Sequence, residues 1–211
     1  CVFGDDCVWK HDSRQAARMP QVNMMRIRLS AWNAVVAWQN TRALKSNQWV
    51  RFIVNKHFLV EQGKLKAPAP IDLKFPSGSM ISIPPDQYTV AVAPRRDFGY
   101  VQVNINYSAS FPGLEQTKLK KPDTDRLLNL ALWAYDAWDT NSISCSSGTG
   151  FAKGTVLEHQ CQANDGNCGG LLTEDGRTFL GLHFGQREDG SGKVWHAEVF
   201  DDDAVVFFTK N

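Results

Sequence analysis

No stretch of the 211-residue chain approaches the roughly 18 consecutive apolar residues of a membrane-spanning helix, and no basic-then-apolar signal leads it. Charge of one sign is also lacking. The formal net charge is +1, so global electrostatics drives the chain toward no particular partner. The five cysteines are an odd number without a secretion signal, which reads as reduced thiols in a cytosolic compartment, not as a disulfide framework. Neither Cys1, Cys7 and His11 nor Cys145, His159 and Cys161 have a common zinc-binding spacing, and a closed zinc site needs four convergent ligands, so no metal or other cofactor is expected. With 43% hydrophobic residues the chain can still bury a substantial core, as one large domain or two small ones.

What the sequence does contain is chemistry near its end. Gly166-Asn167-Cys168-Gly169-Gly170 presents a thiol on a glycine-flanked turn, and the turn's own N–H groups, those of Gly166, Asn167 and Cys168, can converge on an oxyanion. Glycine-flanked turns also occur in hairpins simply to allow positive φ, so the pentapeptide needs partners. One is His57, at the end of the strand predicted over residues 49–55, where a general base has rigid support behind it and an imidazole at an edge. Another is Asp97, between the strand predicted over 88–92 and the alternating run from Tyr100 to Ile105, where it could orient the imidazole. An ion pair with Arg95 or Arg96 is the competing use of Asp97, and Glu61, Asp72 and Asp86 are rival acids. The order His, Asp, Cys is chymotrypsin's, with sulfur in place of oxygen; α/β-hydrolase and papain-like nucleophiles come earlier in their chains.

These motifs, with Ile53-Val54-Asn55-Lys56-His57-Phe58-Leu59 and Gly181-Leu182-His183-Phe184-Gly185, resemble those of the 3C and 3C-like cysteine proteases of picornaviruses and picorna-like positive-strand RNA viruses. The resemblance spans most of the chain. It implies an all-β fold of two antiparallel, chymotrypsin-like barrels with the site in the cleft between them. It further implies His57 as base, Asp97 as orienting acid, Cys168 as nucleophile and His183 as selector for glutamine or glutamate before the scissile bond. Substrate-binding residues are then His183, Gly181, Ala163, Gln162 and Phe184, the substrates are viral polyprotein peptides, and the compartment is the host cell cytoplasm. Cys1, with no initiator methionine before it, fits a polyprotein cut as well as simple trimming. Two departures stand out: many relatives carry a threonine where this chain has Ala163, with Gln162 or Asn164 as possible substitutes, and the glycine motif after His183 is short.

The expected organisation is an N-terminal arm over 1–19 with a short helix, a first barrel over 20–109, a connector over 110–125 and a second barrel over 126–211. Lys118, Lys120 and Lys121 in the connector allow a contact with viral RNA, although three lysines without interleaved aromatics are ordinarily just solvated. Residues 125–138 suit a helix through Leu127, Leu128, Leu130, Ala131, Trp133 and Ala134, yet Leu128, Leu130, Leu132 and Ala134 alternate as in a strand; the resemblance decides for strand. The serine- and glycine-rich run 142–154 is expected to be a mobile hairpin over the cleft. A hairpin around Asp175-Gly176 should place Phe179, Gly181 and His183 on one face, with room at Gly181 for a substrate side chain, while His196 falls on the polar side. The reading from another class is a β-rich RNA-binding or interaction protein with an incidental thiol at Cys168.

Overall fold

The computed structural model describes residues 24–29, 32–39, 50–104, 118–163, 169–189 and 192–210. The N-terminal arm and its expected helix, together with connector residues 110–117, lie outside the described residues. Along the chain run β1 (Met24–Arg28), β2 (Trp32–Gln39), β3 (Val50–Val54), a one-turn helix α1 (Lys56–Leu59), the short hairpin of β4 (Val60–Glu61) and β5 (Lys64–Leu65), then β6 (Ile71–Lys74), β7 (Met80–Ile83), β8 (Tyr88–Val92) and β9 (Gly99–Val103). Seven of these strands form an antiparallel sheet in the order β7-β6-β1-β2-β3-β9-β8. Period-two alternation drives it: Ile71, Leu73 and Phe75, and likewise Gly99, Val101 and Val103, are buried while their neighbours are half-exposed. Their inward faces make a core with Met25, Ile27, Phe52, Phe58 and Leu59.

The second sheet comprises β10 (Lys118–Leu119), β11 (Leu128–Ala134), β12 (Ser144–Lys153), β13 (Val156–His159), β14 (Leu171–Thr173), β15 (Thr178–Asp189) and β16 (Gly192–Val199). Pairing of β15 from Gly181 onward with β16 closes β15-β14-β11-β12-β13-β16 into a six-stranded antiparallel barrel, which leaves the start of β15 with an open side. Lys118 and Leu119, within the expected connector, form a short strand parallel to β15, because the open side of Thr178 and Phe179 offers partners to their backbone. Helix α2 (Asp202–Thr209) ends the described chain; the Asp201 carboxylate caps it by accepting from the Ala204 N–H.

Strand β11 explains its own ambiguous sequence. Leu128, Leu130 and Leu132 fill the barrel interior with Leu157, Leu172 and Leu180, whereas Ala131, Trp133 and Tyr135 face a second core shared with Met24, Ile53 and Phe98 of the first sheet and Phe208 of α2. A strand buried on both faces loses the polar alternation that marks a half-exposed one. The serine- and glycine-rich run is corrected by the structure as well: it is not a hairpin over the cleft but the ten-residue strand β12, integral to the barrel. Its glycines let strands approach closely. A Cβ at Gly148 would lie 2.6 Å from the Cys161 amide nitrogen, and one at Gly150 would lie 2.7 Å from the Glu158 carbonyl oxygen. Because backbone cannot yield as a side-chain tip can, Gly148→Ala should cost about 1–3 kcal/mol. Urea unfolding should therefore show a lower midpoint at an unchanged slope; an unchanged midpoint would contradict this account of β12.

Candidate active site

The strand β3 ends at Val54 and leads into Asn55, whose backbone enters α1 from an extended conformation and whose carbonyl accepts from the Phe58 N–H at 3.1 Å. His57 therefore sits on a single helical turn backed by the buried Phe58 and Leu59, with half of its side chain exposed. Its Nδ1–H donates to Oδ2 of Asp97 at 2.8 Å, and its main-chain N–H donates to Oδ1 of the same carboxylate at 3.0 Å. One carboxylate thus fixes both the ring and the backbone of the histidine. The other acids weighed from sequence are elsewhere: Asp72 pairs with Arg28 at 2.9 Å, and Glu61 and Asp86 are exposed on β4 and a 3-10 turn.

Asp97 lies on the loop joining β8 to β9, and two cations and two carboxylates hold that loop. Lys56 donates to the Ala93 carbonyl at 2.7 Å. Arg96 turns away from Asp97, pairing with Glu198 at 2.6 Å and Asp201 at 3.1 Å, and donates to the Val199 carbonyl at 2.9 Å. The other oxygen of Glu198 accepts the Asp97 N–H at 3.0 Å. Because Glu198 and Asp201 belong to the second sheet and the α2 cap, the acid loop of the first sheet is anchored on the second. These ion pairs are only about a tenth to a sixth exposed, where charge-assisted hydrogen bonds are strong and a lost partner is costly.

His183 brings the other half together. On β15, its N–H donates to the Gly170 carbonyl at 2.8 Å, and its carbonyl accepts from the Gly169 N–H at 2.9 Å. The same carbonyl accepts from the side-chain amide of Asn55 at 3.2 Å, two residues before His57. Gly169 has φ 86°, a conformation that favours glycine. Gly166, Asn167 and Cys168 lie outside the described residues. Gln162 is exposed, with its carbonyl accepting from Ser146 at 2.6 Å, and Ala163 packs against the barrel core. A Cβ at Gly181 would meet the Glu198 carbonyl at 3.1 Å and Ala197 Cβ at 3.3 Å, so the missing side chain there serves the close approach of β15 and β16. Phe184 stacks on His196 with ring centroids 5.9 Å apart.

The His183 side chain is fully buried, and its Nδ1 is 3.0 Å from Nε2 of His159 on β13, a partner not singled out from sequence. Leu157 and His159 are the two buried positions of β13, so period two held a signal that was available. His196, expected on the polar side, is buried; a register shift between His183 and Gly185 re-aims this part of the β15–β16 ladder. Cys145 and Cys161 are buried thiols, and among the described residues no group of three or more His, Cys, Asp or Glu could hold a metal ion. Lys118, Lys120 and Lys121 are exposed. No helix among the described residues is long and apolar enough to cross a membrane.

A closed antiparallel barrel joined by a shared core to a second antiparallel sheet, with a histidine and an acid at the seam, is the chymotrypsin-like protease fold. Tobacco etch virus protease, in a catalytically inactive form complexed with substrate, is similar at a TM-score of 0.65 and 14% identity, over 90% of this chain and 83% of that one. Tobacco vein mottling virus protease gives 0.63 and 12% identity over 90% and 82%. A serine protease of a human pathogenic astrovirus gives 0.58 and 13% identity over 87% and 93%. No family model and no curated protein matches the sequence.

Burial also predicts a pH dependence of stability. Desolvation pushes the His183 imidazole down to about 4, with the charge of His196 adding to the effect. His159 is pushed down too, first by burial and then by the charges of His183 and His196. Glu158, 3.7 Å from His196, is the carboxylate facing this group. An unfolded chain protonates these histidines near pH 6.5, while the folded chain resists, so the unfolded state binds more protons between about pH 6.5 and 4 and stability falls as pH drops through that window. Each imidazole contributes a slope of up to about 1.4 kcal/mol per pH unit. Urea titrations from pH 7 to 5 should show this loss, and His159→Gln should make it shallower; identical slopes would mean that these rings are not held neutral.

Proposed function

We propose that the chain is a 3C-like cysteine endopeptidase that cleaves viral polyprotein peptides after glutamine or glutamate in the host cell cytoplasm. The observation that carries this reading is the His57–Asp97 pair at the seam of a chymotrypsin-like protease fold. Support for Cys168 as nucleophile comes from its glycine cradle and from its neighbour Gly169, which shares the His183 carbonyl with the Asn55 side chain, two residues from the base. Support for the viral and polyprotein aspects comes from the motifs and from the viral proteases among the structural neighbours.

In the mechanism, Asp97 accepts the Nδ1–H of His57, which makes Nε2 the nitrogen that takes the proton of the Cys168 thiol. The thiolate attacks the scissile carbonyl carbon, and backbone N–H groups of Gly166, Asn167 and Cys168 receive the developing oxyanion. Collapse breaks the C–N bond as His57 returns its proton to the leaving amine, leaving a thioester. A water then gives a proton to Nε2, attacks the thioester carbon and releases the acid product and the thiol. The substrate binds extended along strand edges, with alternate side chains entering pockets, and His183 reads the residue before the scissile bond.

Cys168→Ala should abolish cleavage of a glutamine-containing junction peptide, and Asp97→Ala should lower kcat/KM by about 10²-fold or more through loss of the oriented base. Steady-state kinetics with circular dichroism as a folding control measures both. Undiminished cleavage by Cys168→Ala would end the cysteine mechanism, and salt-sensitive RNA binding without any turnover would favour a β-rich binding protein instead.

A further inference from the structure

His183 and His159 raise a question of proton placement that the mechanism above leaves open. Their facing nitrogens, Nδ1 and Nε2, are 3.0 Å apart, while among the described residues Nε2 of His183 and Nδ1 of His159 are buried without hydrogen-bond partners. Two neutral imidazoles at that distance share one hydrogen, and two arrangements exist. If His183 donates, His159 carries a hydrogen on Nδ1, a buried N–H with no acceptor, and His183 presents only a lone pair. If His159 donates, its Nδ1 is a bare lone pair and the one unsatisfied N–H is on Nε2 of His183. Each arrangement strands one buried N–H, so the choice turns on where that donor finds an acceptor once substrate binds. The second arrangement leaves its single open donor on the residue whose main chain pairs with Gly169 and Gly170, directly after Cys168.

The surroundings fix this ring in place. His159 meets His183 edge-on with centroids 5.1 Å apart, and Trp195 covers it at 5.4 Å. His196 faces Phe184 and, through Nε2, the Glu158 carboxylate at 3.7 Å, so that carboxylate is directed at His196 and not at the pair.

We propose that His159 is the positioning residue of the specificity pocket: its Nε2–H donates to Nδ1 of His183 and holds the tautomer in which His183 offers Nε2–H to the side-chain carbonyl of a substrate glutamine. This rests on the reading of His183 as selector. A neutral donor satisfies a glutamine carbonyl without bringing charge into a buried site, whereas a glutamate carboxylate would be desolvated there opposite an uncharged ring. The pocket therefore prefers glutamine to glutamate at neutral pH.

The test combines a spectroscopic and a kinetic measurement on the full chain. Long-range ¹H–¹⁵N correlation spectra of the histidine rings at pH 7 should show both His183 and His159 protonated on Nε2. His159→Leu should raise KM for a glutamine peptide about tenfold, with kcat within about threefold, and should narrow the glutamine-to-glutamate ratio of kcat/KM. His159→Gln, whose side-chain amide reaches toward Nδ1 as a donor, should restore most of both. Should His159→Leu not fold, His159→Asn, whose shorter amide cannot reach, supplies the same contrast against His159→Gln. A hydrogen on Nδ1 of His183, or an unchanged KM and selectivity without a donor at 159, overturns this inference while leaving the protease reading intact. Absence of all peptide cleavage by the wild type overturns the protease reading and this inference with it.

Discussion

A single carbonyl oxygen, that of His183, joins the two halves of the molecule at the point where chemistry is possible. It accepts from Gly169, which continues the chain from Cys168, and from the side chain of Asn55, which continues into His57. Asn55 is fully buried and begins α1 without capping it, because its amide is directed across the seam instead of back onto its own helix. Each donor is an amide removed from water, so separating the halves would strand buried polar groups at a cost of about 1–3 kcal/mol each. The strand end that precedes His57, the backbone of Gly169 and the strand β15 thus share one acceptor. None can shift far without disturbing the others.

A second set of links crosses the seam through buried cations, and it acts on the acid. Arg96 and Glu198 hold the Asp97 loop against β16, so the carboxylate that meets His57 takes its position from the sheet that does not carry His57. Arg26 of β1 donates to the carbonyls of Trp138, Thr140 and Phe75 beneath the ring of Tyr135, while Arg51 of β3 donates to the Phe208 carbonyl of α2 at 2.9 Å. Burial pushes both guanidinium groups below their ordinary pKa, yet each is surrounded by oxygen or aromatic acceptors of positive charge. Apolar contacts at the seam can slide. A guanidinium fork bound to several fixed carbonyls sets a specific register between the sheets, as planar multidentate donors do.

The sequence exposed the parts of this design that are local. Alternation in residues 71–75 and 99–103 marked half-exposed strands, and the strand-to-histidine passage at 53–59 placed His57 at an edge. What stayed hidden depends on pairing at long range. β11 read as helix or strand because both its faces are buried, and the β12 segment read as a mobile hairpin because its glycines admit neighbouring backbones that only the closed barrel supplies. Arg96 was a plausible partner for Asp97 along the chain, but the fold brings Glu198 and Asp201 to it from a hundred residues away. His159 could have been found from its alternation with Leu157, although nothing local indicates that its inward direction leads to another imidazole.

The same distinction bears on Ala163, where relatives within the resemblance often carry threonine. A methyl packed on the barrel core has no hydrogen-bonding group to orient an imidazole. In this chain the His183 ring meets instead a buried imidazole on β13, which lies on the other side of β16. A hydroxyl can rotate to donate or accept, whereas an imidazole has one hydrogen to place and a charged form that burial disfavours. Replacing a hydroxyl by an imidazole therefore exchanges an adaptable partner for one that fixes both tautomer and charge. On the proposed reading, discrimination would come from the proton inventory of these two rings, and that inventory is set by how β13 and β15 are packed about β16 in the closed barrel.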